Sequence, residues 1–249
     1  MTVSEVQHFV GRDGVSLAYR ELGTGRPVVL LHGFFTTGVH AWIRSGHAER
    51  LAMRGHRVIM PDLRAHGDSA RPHDPAAYPP DVLTDDAFAL VEQLGLTQYD
   101  LGGYSLGART VIRMLARGAR PQRAAVGGAG FGELLHAAGG GQRFRHVLDN
   151  PGQHEWGSPD WLAEGFLKKI GGDRQALLLV LDTPVDTSME SITAITVPTL
   201  VMSGDRDEPE SGQHLAALLR HAVYLEVPGD HVTASGSPEL GDAMAGFFD

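Results

Sequence analysis

The chain has 249 residues, 42% hydrophobic and 20% charged, enough for one large domain with a sizeable core and too apolar for a disordered chain. Its 21 Lys and Arg against 30 Asp and Glu give a net charge of −9, which argues against a phosphate-neutralising, nucleic-acid-binding surface. The absence of Cys excludes disulfides, thiolate nucleophiles and cysteinyl metal sites.

The opening ten residues are polar and lack the apolar core of a signal peptide. The longest apolar runs, such as 176–181, are far too short to span a bilayer. The expectation is a soluble cytoplasmic protein with no membrane partner.

The first elements read as a hairpin, with strands at 6–10 and 15–21 turning at Asp13-Gly14. The continuous apolar run 28–31 is expected of a strand buried on both faces. A helix follows over 41–54, closed by Gly55, then a strand at 57–60, a helix at 82–94 and a strand at 99–103. The next helix, 106–116, ends at Gly118, and a short strand covers 124–126. This alternation implies a mainly parallel sheet with helices on both faces.

The rhythm breaks between 131 and 191. That stretch holds Gly139-Gly140-Gly141, two helical patterns, and Phe131, Phe144, Trp156, Trp161 and Phe166. Alternation resumes with a strand at 199–202, a helix at 211–219 and a strand at 223–227. The last helix starts at Ser237-Pro238, a good N-cap and first-turn pair, with Leu240, Met244, Phe247 and Phe248 on its apolar face. The expected organisation is a core of residues 1–130 and 191–249 with a helical cap, 131–190, inserted late as a lid over a site.

Gly103-Tyr104-Ser105-Leu106-Gly107 spells G-x-S-x-G between an apolar strand and a helix, the setting of a nucleophile elbow. A sharp strand-to-helix turn would hold Ser105 in a strained conformation with its hydroxyl projecting outward, and would demand glycine on either side. A serine hydroxyl is a poor nucleophile unless a base takes its proton and a third group orients that base. The candidates lie at the carboxyl ends of later strands: Ser203-Gly204-Asp205-Arg206-Asp207, then Pro228-Gly229-Asp230-His231.

These motifs resemble those of the α/β-hydrolase superfamily, whose chain order is serine, acid, histidine. The resemblance covers nearly the whole chain and is weakest across 131–191. It implies a mostly parallel, eight-stranded α/β-hydrolase sheet flanked by helices. It also implies Ser105 as nucleophile, His231 as base, and Asp207 rather than Asp205 as the acid, three residues after the glycine that ends its strand. His32-Gly33-Phe34-Phe35 is similar to the superfamily's oxyanion loop, which makes the backbone N–H groups of Phe34 and Leu106 the oxyanion donors. His32 would then brace the loop rather than act as a second base.

The segment Asp62-Leu63-Arg64-Ala65-His66-Gly67-Asp68-Ser69 looks like the family's D-x-R-G-x-G-x-S, with Ala65 where glycine is usual, and reads as a structural loop beside the oxyanion turn. Ala108 and Phe35 are further departures, which blur the subfamily and leave the chemistry untouched.

The chain has 13 histidines but no H-E-x-x-H and no compact His/carboxylate cluster in sequence, so they read as scattered surface residues with no metal site. Gly127-Gly128-Ala129-Gly130-Phe131-Gly132 spells neither G-x-G-x-x-G nor a P-loop, so a dinucleotide site lacks its fingerprint. The expected activity is cofactor-free cleavage of a small-molecule carboxylic ester or lactone. Ser105 sets it apart from the superfamily's dehalogenases and epoxide hydrolases, which place aspartate there. Two alternatives stand beside it. One is a non-hydrolytic relative: the elbow with Arg109 is similar to that of the menaquinone-pathway SHCHC synthases, and cofactor-free perhydrolysis is a known side reaction. The other is a ligand-binding protein with a silent triad, against which all three positions are filled.

Overall fold

The short apolar runs become eight strands of one sheet in this computed structural model, which describes residues 2–138 and 141–249. β1 (Gln7–Val10) and β2 (Ser16–Leu22) form the expected antiparallel hairpin, with Phe9 opposite Leu17. The others are β3 (Arg26–Leu31), β4 (His56–Pro61), β5 (Asp100–Tyr104), β6 (Ala124–Gly127), β7 (Thr199–Gly204) and β8 (Ala222–Val227). They lie in the order β1-β2-β4-β3-β5-β6-β7-β8, antiparallel as far as the β2–β4 pair and parallel from β4 to β8. The sheet is the eight-stranded, mostly parallel one expected. Parallel strands need crossovers, and these gather the strands' carboxyl ends along one edge, where the site lies.

The two sheet faces sort side chains with the strand period of two. On one face Val28, Leu30, Val58, Met60 and Ala125 meet α1 (His47–Met53) and α11 (Pro238–Phe248). On the other, Val29, Leu31, Ile59, Leu101 and Val126 meet α2 (Val82–Gln93) and α3 (Leu106–Ala116). α11 buries Leu240, Met244 and Phe248 and begins at Ser237, whose side chain accepts the Leu240 N–H. Among the described residues no helix is long and apolar enough to cross a membrane.

Two expectations need correction. The helix expected over 41–54 is a wide turn at Val39–Ile43 followed by α1, because Gly46 takes φ +79 and interrupts the ladder. The two helical patterns expected across 131–191 are, among the described residues, five short helices: α4 (Phe131–Leu135), α5 (Gln142–Asp149), α6 (Pro159–Lys169), α7 (Arg174–Val180) and α8 (Met189–Thr193). Helices of five to eight residues are too short to display a clear apolar period. Their caps were the better signal: Ser158, Asp173 and Ser188 each accept a first-turn N–H. Gly139 and Gly140 lie outside the described residues. After β7 come α9 (Pro209–Leu218) and, past β8, a single turn, α10 (His231–Ala234), which the sequence did not announce.

Candidate active site

At the elbow β5 ends on Tyr104, α3 begins on Leu106, and Ser105 alone makes the turn at φ +54 and ψ −115. Such a conformation costs a non-glycine residue about 1–3 kcal/mol and persists only where its surroundings impose it. They do: a Cβ on Gly103 would sit 2.5 Å from the Gly107 carbonyl carbon, and one on Gly107 would strike the Leu31 carbonyl. The Ser105 N–H donates to the Gly127 carbonyl at 2.8 Å, tying the elbow to the end of β6.

The imidazole of His231 reaches Ser105 from the β8 side. Its Nε2 lies 3.0 Å from Ser105 Oγ and its Nδ1 2.8 Å from Asp207 Oδ2. A carboxylate only accepts, so Nδ1 carries the proton and Nε2 presents its lone pair to the serine hydroxyl. The hydrogen bond to Asp207 raises the His231 pKa above its ordinary value; burial opposes the rise, and the charges of Asp207 and Glu133 add to it. The two aspartates after β7 have separate tasks. Asp205 Oδ1 accepts the Gly229 N–H at 2.9 Å and so braces the loop that carries His231, while Asp207 faces the ring.

A further residue on that ring is Tyr104, which sequence reasoning passed over. Its hydroxyl donates to the His231 carbonyl at 2.8 Å and its ring centroid lies 5.6 Å from the imidazole. Burial pushes its phenol pKa well up, so it stays a donor. The available signal was its place inside G-x-S-x-G: a strand-end side chain next to the nucleophile.

The loop after β3 lies against the elbow. His32 is fully buried; its Nε2 accepts the Leu63 N–H at 2.9 Å, so its Nδ1–H donates to the Gly33 carbonyl at 2.7 Å. Burial lowers its pKa to about 4. His66, whose Nδ1–H donates to the Arg64 carbonyl at 2.9 Å, meets His32 edge to face at 5.0 Å, and burial lowers it to about 3. Both are neutral braces. Asp62 accepts the N–H groups of Gly38 and Asp68, joining this segment to the loop. Ala65 has φ +70, which accounts for the glycine usual at that place in the family motif, and Phe35 has φ +57. The Phe34 N–H and the Leu106 N–H, the latter in the first turn of α3, have no acceptor among the described residues.

The helices between β6 and β7 bring few of their aromatics here. Phe144 stacks edge-on against Phe34 at 5.0 Å and Phe35 at 5.1 Å, and Phe166 meets His40 at 5.5 Å. Phe131 packs on His214 instead, and Trp156 and Trp161 pack on each other, Trp156 being 83% exposed. A cleft lined by Leu106, Arg109, Thr110, Leu134, Ala137 and Val185 lies along α3, and a second, lined by Gly128, Gly130, Glu133, Ser203, Asp207 and His231, contains the acid and the base. Arg109 is paired with Glu133 at 3.2 Å.

Residues 26–127 match the family model described as alpha/beta hydrolase fold. An epoxide hydrolase of Caballeronia sordidicola is 34% identical over 102 residues, 41% of this chain and 30% of that protein. A non-heme haloperoxidase of Rhodococcus erythropolis is 27% identical over 87% of this chain and 89% of its own length. The matched stretch spans only 30–37% of the length of that epoxide hydrolase and of two further curated relatives. Among solved structures, a thermophilic esterase from Thermogutta terrifontis superposes with a TM-score of 0.75 at 22% identity, covering 98% of both chains, a likeness of fold.

Proposed function

We propose, starting from the chain's membership of the alpha/beta hydrolase fold superfamily, that it is a serine hydrolase cleaving a carboxylic ester or lactone. The observation that carries this reading is the continuous relay from Ser105 Oγ to His231 Nε2 at 3.0 Å and from His231 Nδ1 to Asp207 at 2.8 Å. Ser105 attacks the carbonyl carbon as His231 takes its proton, and Asp207 keeps the ring in the working tautomer and stabilises its charge. The oxyanion so formed is held by the N–H groups of Phe34 and Leu106, donors each worth roughly 10²- to 10³-fold in rate. His231 then gives its proton to the departing alkoxide and draws one from the water that hydrolyses the acyl-enzyme.

The residue at position 105 separates this activity from that of the epoxide hydrolase relative. A serine opening an epoxide would leave an ether, which this machinery has no means to hydrolyse; a serine acylated by an ester leaves another ester, which it can. The haloperoxidase relative, matched over most of both chains, favours a second reading of the same site. With hydrogen peroxide in place of water, the acyl group would leave Ser105 as a peracid and return the hydroxyl. The helical segment 131–190 is read as the lid, with Phe144 over the oxyanion loop, and the cleft that Asp207 and His231 line is read as the place that receives the acyl or alcohol group.

The test is a panel of p-nitrophenyl esters of graded chain length together with lactones, run on the native chain and on Ser105→Ala. Turnover that falls by roughly 10³-fold or more in the variant supports the assignment. Turnover retained in the variant, or found with none of the panel, contradicts it.

A further inference from the structure

A second cluster of reactive side chains lies outside the Ser105 site, where α5 meets α6. His146 stands on α5, His154 in the connection that follows, and Asp160 in the first turn of α6; one donor atom from each lies within 4.8 Å of the others. We propose that His146, His154 and Asp160 bind a divalent transition-metal ion, Zn²⁺ foremost, and that the ion pins α5 to α6.

The donor set decides the kind of ion. Two imidazoles and one carboxylate suit Zn²⁺, Co²⁺ and Ni²⁺, whereas Ca²⁺ and Mg²⁺ want oxygens. One nitrogen of His154 is already committed. Its ring is nearly buried, and Nε2 lies 3.3 Å from the Val147 carbonyl, which can only accept, so that nitrogen carries the proton and Nδ1 offers its lone pair. Metal-bound histidines are held in this way, with the second N–H fixed by a carbonyl or carboxylate. Glu164 stands behind the ring, its Oε2 3.9 Å from Nε2, and is itself fixed by the Gly152 N–H and by Lys168. One turn before it on the same face of α6 comes Asp160.

Tetrahedral bonds of about 2.1 Å place ligand atoms roughly 3.4 Å apart, so the cluster has to tighten by at most about 1.4 Å. The exposed His146, whose Nδ1 meets only the Asn150 amide at 3.2 Å, can swing that far. Arg143 competes for the site, its Nε donating to Asp160 Oδ1 at 2.9 Å, but its side chain is 61% exposed and such a pair is weak. The spacing of seven residues and then five fits no familiar metal motif, which is why the sequence did not disclose it.

Trp156 and Trp161 flank the cluster in sequence, two residues beyond His154 and one beyond Asp160, and give it a reporter that does not depend on catalysis. The experiment titrates Co²⁺, and then Zn²⁺ in competition, into the full chain while following tryptophan fluorescence, with the same titration on His146→Ala, Asp160→Asn and Arg143→Gln. The expected result is saturable quenching in the micromolar range that Zn²⁺ reverses, weakened about tenfold or more in the first two variants and strengthened severalfold in the third. Because His146 is exposed, its replacement leaves the fold intact. Quenching that does not saturate below about 1 mM, or that is unchanged in His146→Ala, overturns the site.

Discussion

The strand-end loops and the helices between β6 and β7 face one another across the same space, yet they are held by different physics. Around the elbow the chain tolerates strain: Phe35, Ala65 and Ser105 all take positive φ, and their neighbours are buried polar groups such as Asp62, His32 and His66. Between β6 and β7, among the described residues, no residue other than glycine has positive φ, while Trp156, Trp161, Leu162 and Phe166 are exposed. A strained, buried polar constellation accepts very few residue types, so each position is individually demanding. The short helices of that segment need mainly suitable volume and caps, so away from the contacts of Phe144 with Phe34 and Phe35 they are open to exchange.

The comparison breaks first at the aspartates. Asp207→Asn should lose roughly 10²- to 10⁴-fold in kcat/KM, because an amide cannot hold His231 in its working tautomer or stabilise its charge. Asp205→Asn, which disturbs the brace at Gly229 and an exposed pair with Arg206, should lose less than about tenfold. The opposite ranking would move the acid to Asp205.

In the helical segment the same contrast should appear between two aromatics. Phe144→Ala removes the ring packed on Phe34 and should lower kcat/KM by roughly tenfold through displacement of the oxyanion loop. Trp156→Ala, at an exposed position, should change stability by no more than about 0.5 kcal/mol and leave turnover near normal. Equal effects would erase the distinction between the two faces of the segment.

The histidines divide along the same line, and pH separates them. His231 must be neutral to act, and its pKa is raised, so activity should climb with pH through a midpoint above 6.5. Asp207→Asn should bring that midpoint down; a flat profile from about pH 5 to 8 would remove histidine as the base. Stability moves in the same direction with pH, though through pKa shifts of the opposite sense. His32 and His66 are lowered to about 4 and about 3, so the unfolded chain binds protons first as the pH drops below 6.5. Their contribution is complete above that value and is lost progressively as pH falls toward 4, which urea midpoints at pH 7 and pH 5 would register. His66→Gln should shrink the difference.

The smallest effect belongs to Ala65. At φ +70 an alanine carries about 1–2 kcal/mol of strain, and glycine would relieve it at an entropic cost of about 0.5–1 kcal/mol. Ala65→Gly should therefore raise Tm by roughly 1–4 °C, measured by calorimetry.

The demanding positions were the legible ones. Ser105, Asp207 and His231 stood out because glycine turns and strand ends admit few alternatives, and Ala65 stood out as a departure whose reason is its left-handed backbone. Strand positions followed from apolar runs with little error. The break at Gly46 escaped because a glycine inside an amphipathic stretch reads as tolerated. Tyr104 escaped because its partner, the His231 carbonyl, is 127 residues away, and the cluster of His146, His154 and Asp160 because folding alone brings it together.

The most direct measurement is intact-mass analysis after treatment with a fluorophosphonate probe, followed by peptide mapping. One adduct on Ser105, absent in Ser105→Ala and formed far more slowly in His231→Gln, is the expected result. An unlabelled chain, or an adduct on another residue, would contradict Ser105 as the activated nucleophile.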